Sequence, residues 1–103
     1  MALPPTIVVS ATELRRMFAD HDFLGRLQRG ELTQQVIRDR QPNQPPRGMP
    51  PGTRSQIIAY REAGRQVALV HQYLLPDGTL GASGLPDPKR LFVDGLLYVV
   101  VPS

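Results

Sequence analysis

Between Gly64 and Gly84 the chain reads GRQVALVHQYLLPDGTLGASG, and this stretch limits the fold more than any other. A mostly apolar run, Val67 to Leu74, leads into Leu75-Pro76-Asp77-Gly78-Thr79. Pro presets φ for the second position of a type I turn, Asp suits the third, and Gly takes the left-handed conformation that closes a three-residue loop. The spacing predicts a long strand, a tight turn and a returning strand. Leu75 then faces Thr79, Leu74 faces Leu80, Tyr73 faces Gly81, Gln72 faces Ala82 and His71 faces Ser83. An aromatic ring at 73 covers the backbone that a strand glycine at 81 leaves bare.

The same logic extends to the rest of the C-terminal half. Ser55 to Arg61 reads as a strand, and a turn at Glu62-Ala63-Gly64 leads into Val67–Leu75. With Arg61 opposite Arg65, Ala59 meets Val67 and Ile57 meets Leu69. One face then carries Ile57, Ala59, Val67, Leu69, His71 and Tyr73, and the other Ile58, Tyr60, Ala68, Val70, Leu74 and Leu80. Both faces are largely apolar, so helices are expected over one, and a partner, a second layer or strong curvature over the other. GLPDPKR reads as a stiff loop, and Asp94-Gly95 between apolar runs is a strong hairpin signal joining Leu91–Val93 to Leu96–Val101.

The N-terminal part reads as helix. Ser10-Ala11-Thr12-Glu13 matches a capping box, and Val9 with Leu14 matches a hydrophobic staple. Leu14, Met17 and Phe18 follow helical spacing. Asp20-His21-Asp22 interrupts or re-caps this helix, after which Phe23, Leu24 and Leu27 give a second short stripe that Gly30 ends. Leu32 and Val36, four apart, suggest a third helix over Glu31–Arg40, in competition with a strand around Gln35 to Ile37. Gln41 to Thr53 holds five of the eleven prolines and is expected to be an extended connector from the helical part to the sheet. Its Pro42-Asn43-Gln44-Pro45 also fits the PxxP ligand pattern, which is common in proline-rich loops. The expected fold is α+β and one domain over 1–103: a helical part (1–40), the connector (41–53), and an antiparallel meander of four to five strands (54–103).

Composition narrows the function classes. There is no Cys, which excludes disulfides, thiolate zinc sites and cysteine nucleophiles. MALPPTIVVS lacks a basic leader region, and no apolar run is long enough to span a membrane, so a cytoplasmic location without membrane contact is expected. The net charge is +3, from eleven Arg and one Lys against nine acids, with neither half a basic tail. A nucleic-acid surface would have to be assembled by folding.

Few residues carry a chemical signal. Asp20-His21-Asp22 lacks the one-sided spacing that a metal needs on a helix, and Gly78, Gly81 and Gly84 lack the strand-to-helix context of a phosphate loop. No cofactor or metal site is expected. Lys89 and Arg90, after the Pro-Asp-Pro loop, together with Arg54 and Arg65, are candidate binding residues for an anionic or acidic partner. The expected function is a binding module without catalysis, for a protein or a nucleic acid, with homodimerisation through an apolar sheet face or edge as a further option. The alternative is a metal-independent ribonuclease of the small bacterial toxin kind, by analogy of helices followed by a sheet. His71, Tyr73 and Ser83 would form its acid–base set, and Arg and Lys would steady the phosphorane.

Overall fold

The computed structural model describes residues 3–100. The fold is α+β, with two short helices and a six-stranded mixed sheet. In chain order the elements are β1 (Thr6–Val9), α1 (Ala11–Asp20), α2 (Phe23–Gln28), β2 (Thr33–Arg40), β3 (Arg54–Glu62), β4 (Arg65–Leu74), β5 (Asp87–Val93) and β6 (Leu96–Val100). The strands lie in the order β1-β6-β5-β4-β3-β2. All neighbours are antiparallel except β1 and β6, which run parallel with Ile7 beside Tyr98. The expected four to five antiparallel strands thus become six, with one parallel pair.

Ser10 caps α1 in extended geometry, its Oγ accepting from the Glu13 N–H at 3.0 Å. Only this half of the capping box forms, because the Glu13 carboxylate turns to Arg16 instead. Leu14, Met17 and Phe18 point from α1 into the core, and Phe23 of α2 stacks on Phe18 with ring centroids 5.7 Å apart. They meet Ile58, Tyr60, Ala68, Val70 and Leu91 from the sheet. The helices therefore cover the sheet face that carries Ile58 and Val70.

The expected third helix is instead β2. Leu32 is buried, but Val36 is half exposed and pairs with Ile58, so their helical spacing marks no common face. Val36, Ile37 and the free edge of β3 favour the extended chain. As a result the proline-rich segment joins two strands of one sheet, not helices to sheet. Its end is fixed where Thr53, fully buried, donates from Oγ1 to the Pro50 carbonyl at 2.8 Å.

β3 and β4 meet through a two-residue turn, Ala63-Gly64, with φ of 50° and 81°, which pairs Glu62 with Arg65. The three-residue turn expected there is corrected, and Ala59 faces Leu69 while Ile57 faces His71. A bulge leaves Val67 without a partner. The slip is of two residues, so every other side chain keeps its predicted face.

The Leu75–Thr79 loop forms as expected: Leu75 N–H donates to Thr79 O at 2.8 Å, Leu74 bridges Leu80, and Gly81 N–H donates to Tyr73 O at 2.9 Å. The returning strand then stops. Ala82 takes a φ of 58°, and Gly84 N–H closes a turn onto Gly81 O at 3.1 Å. The predicted Gln72–Ala82 and His71–Ser83 pairs are absent, and His71 pairs with Asp87 of β5. The space beside Gly81 is filled by Leu75 and Met49, so the covering role expected of Tyr73 falls to them. Asp87-Pro88-Lys89-Arg90, expected as loop, is strand, with Lys89 bulged out between Pro88 and Arg90. Asp94-Gly95 makes the predicted tight turn, pairing Val93 with Leu96. The predicted end of that strand at Val101 lies outside the described residues. No helix among the described residues is long and apolar enough to cross a membrane.

Candidate functional site

The final ladder pair between β4 and β5 is His71 with Asp87, while β4 runs on to Leu74. That overrun, with α1 on one side and residues 81–88 on the other, encloses a cleft of about 450 Å³. Phe18, Leu85, Pro86 and Pro88 give it apolar walls, and Arg15, His71, Tyr73, Ser83 and Asp87 supply its polar groups. A second cleft of about 550 Å³ adjoins it, lined by Arg40, Asn43, Gln44, Pro46 and Ser55. Tyr73 borders both.

His71 sits at the boundary. Its Nε2 shares a 2.8 Å hydrogen bond with the Ser55 hydroxyl, and the Tyr73 ring meets it edge-on at 4.6 Å between centroids. Partial burial, and then the Lys89 ammonium, hold the imidazole below its ordinary value of 6.5, with Asp87 opposing them. The ring is therefore neutral near pH 7, with a nitrogen free to accept a proton.

Ser55, His71 and Asp87 come from three adjacent strands, yet they do not form a nucleophilic triad. Asp87 Oδ1 accepts from Arg15 Nε at 3.0 Å and Oδ2 accepts from Lys89 Nζ at 2.9 Å. Partial burial pushes the Asp87 carboxyl up, but the bonds from Lys89 and Arg15 outweigh it and leave it below its ordinary value of 3.8. Its ionised oxygens tie α1 to the start of β5 and orient nothing on His71.

Charge is segregated between the two sides of the molecule. On the helices, Arg15, Arg16, Arg26 and Arg29 all pair with carboxylates. Strand pairing places Arg38 in one row with Ile57 and His71, and Arg40 in one row with Ser55 and Tyr73. Arg90 lies in the row of Leu69 and Ala59, and Arg61 follows Ala59 on the same side of β3. Residues paired across strands share a face. All four arginines thus lie on the face turned away from the helices, and among the described residues none forms an ion pair with a carboxylate.

Of the residues singled out in the sequence, His71 and Tyr73 come together. Ser83 lines the same cleft, but its hydroxyl is turned to the backbone of Leu85. Lys89 is held by Asp87, and Arg54 is held by Asp39 at 2.7 Å on the helix-bearing face. Arg65 lies at the far end of β4, its guanidinium 6.0 Å from the Phe92 ring centroid. Arg90 stays exposed on the open face. Ser55, Asp87, Arg15, Arg38 and Arg40 were missed. The alternation of Arg38 and Arg40 was the available signal, once Thr33–Arg40 is read as a strand. Comparison of the chain with family models, with curated proteins and with solved structures gives no match.

Proposed function

We propose that this chain is a binding module for single-stranded RNA, engaged on the open sheet face and in the two clefts that meet at Tyr73. The supporting observation is the segregation of charge: Arg38, Arg40, Arg61 and Arg90 lie on one face without a carboxylate partner among the described residues, Arg38 in the row of His71 and Arg40 in the row of Tyr73. A net charge of +3 understates that field, because the cations on the helices are already cancelled. Phosphates supply the complementary charge, and the apolar cleft and the Tyr73 ring suit unstacked bases. A second copy or a protein partner on the same face would have to leave these guanidinium groups solvated or supply carboxylates to them.

The test is RNA affinity against salt. Log affinity should fall linearly with log salt, by about 0.7 for each phosphate contacted. Arg38→Gln with Arg40→Gln should weaken binding and flatten that slope by roughly one contact per arginine. Absence of RNA binding at low salt, with self-association or an acidic protein partner found instead, would refute the reading.

A further inference from the structure

We infer that the His71–Ser55 contact marks an RNA-cleaving centre, in which His71 is the general base toward a ribose 2′-hydroxyl. This rests on the RNA-binding reading above and adds a reaction to it. His71 lines the first cleft, Ser55 lines the second, and Tyr73 lines both. A strand with one nucleotide in each cleft has its connecting phosphodiester at that boundary. The first cleft offers Phe18, Leu85 and Pro86 to a base, and the second offers the side-chain amides of Asn43 and Gln44 to its neighbour.

Geometry gives His71 its role. The Ser55 Oγ lies 2.8 Å from Nε2, the distance at which a base takes a proton from a hydroxyl. A ribose 2′-hydroxyl that displaces Ser55 occupies the same position. Nε2 then accepts the 2′ proton, the 2′ oxygen forms a bond to phosphorus, and the bond from phosphorus to the 5′ oxygen breaks. The Tyr73 hydroxyl donates a proton to that departing oxygen. The products are a 2′,3′-cyclic phosphate and a 5′-hydroxyl end, and the imidazolium returns its proton to the Tyr73 phenolate through solvent. Arg40, which lines the second cleft in the row of Ser55 and Tyr73, meets the charge that builds on the phosphoryl oxygens, and Arg38, two strands from His71 on the same face, adds to the positive field there. The neutral state of His71 near pH 7 is the state this step requires.

The experiment incubates the whole chain with a 5′-labelled RNA pool of random sequence, and with DNA of the same design, in EDTA. Binding and cleavage are read on the same samples. RNA should be cut to fragments ending in 2′,3′-cyclic phosphate, and DNA, lacking the 2′-hydroxyl, should stay intact. His71→Ala should lower the rate about 100-fold or more. Tyr73→Phe, which keeps the ring and removes only the proton donor, should also slow cleavage while melting like the wild type. RNA bound but left intact would overturn the cleavage centre and leave the binding reading standing. A rate unchanged in both variants would overturn it too, since the cut would then come from elsewhere. RNA neither bound nor cut would overturn both.

Discussion

Replacing Ala63 tests the register of the central hairpin, because two registers predict opposite signs. In the structure Ala63 and Gly64 form a two-residue turn, and Ala63 has a φ of 50°. A residue with a Cβ in the left-handed region is strained by about 1–2 kcal/mol. Ala63→Gly removes that strain, but it loosens the unfolded chain by about 0.4–1 kcal/mol. The net change should be a gain of up to about 1.5 kcal/mol. Ala63→Asn carries no glycine entropy and suits the first position of this turn, so it should stabilise by about 0.5–1 kcal/mol. Roughly 2–8 °C in melting temperature follows for a domain of this size. In the three-residue turn expected from Glu62-Ala63-Gly64, residue 63 is right-handed, so Ala63→Gly destabilises and Ala63→Asn brings no gain. Thermal and urea melts of both variants decide. Loss of stability in Ala63→Gly, with no gain in Ala63→Asn, would refute the two-residue turn and with it the pairing of Ile57 with His71.

Two further outcomes follow from the site and the cap. Ser10→Ala should cost about 1 kcal/mol, because the Glu13 N–H loses its acceptor, and Thr12→Ala should cost distinctly less; equal losses in urea melts would show that Ser10 is not the cap. The folded protein holds His71 below its ordinary value of 6.5, so the unfolded chain takes up that proton first, and the His71 contribution to stability, complete above 6.5, is lost as pH falls toward the folded value. Asp87, held below its ordinary value of 3.8, is already ionised across that window, so the difference between wild type and His71→Ala should change with pH there; a constant difference would show that His71 is not held neutral.

Local turn chemistry was legible in the sequence at two turns where glycine or proline fixed φ, though the turn at Ala63-Gly64 was one residue shorter than expected. The Leu75–Thr79 loop and the Asp94-Gly95 turn were read correctly because few other backbones suit those residues. The Ser10 cap was legible for a similar reason, since a hydroxyl before an apolar stripe satisfies a helix N–H. Long-range choices were not legible. Whether Thr33–Arg40 is helix or strand depended on the free edge of β3, which lies beyond a thirteen-residue connector (41–53). The partner of His71 depended on Ala82 adopting a positive φ, a conformation that alanine does not advertise, and this released the edge of β4 to Asp87. The cleft follows from that exchange, so His71 and Tyr73 could be chosen as residues while Ser55, Arg15 and Asp87 could not.

The arginines of the open face have a bland explanation that works for some of them and fails for one. β2 is an edge strand exposed along its whole length, and edge charges together with a bulge discourage pairing with another chain. Arg38 and Arg40 on that edge, beside the bulge at Ile37, are accounted for in this way. Arg61, next to the β3–β4 turn, hydrogen-bonds Gln35 at 2.9 Å and is held by its surroundings. Arg90 has no such reason. It lies on β5, flanked on both sides by strands, between Leu69 of β4 and Val99 of β6. A long cation between two apolar neighbours in mid-sheet gives up the packing that a β-branched residue would gain there. Among the described residues it has no carboxylate partner, it has no edge to guard, and it remains exposed. A sheet face that only awaited a second apolar layer would not keep a solvated guanidinium at its centre. A face that meets phosphates would, and Arg90 is the residue that separates the two.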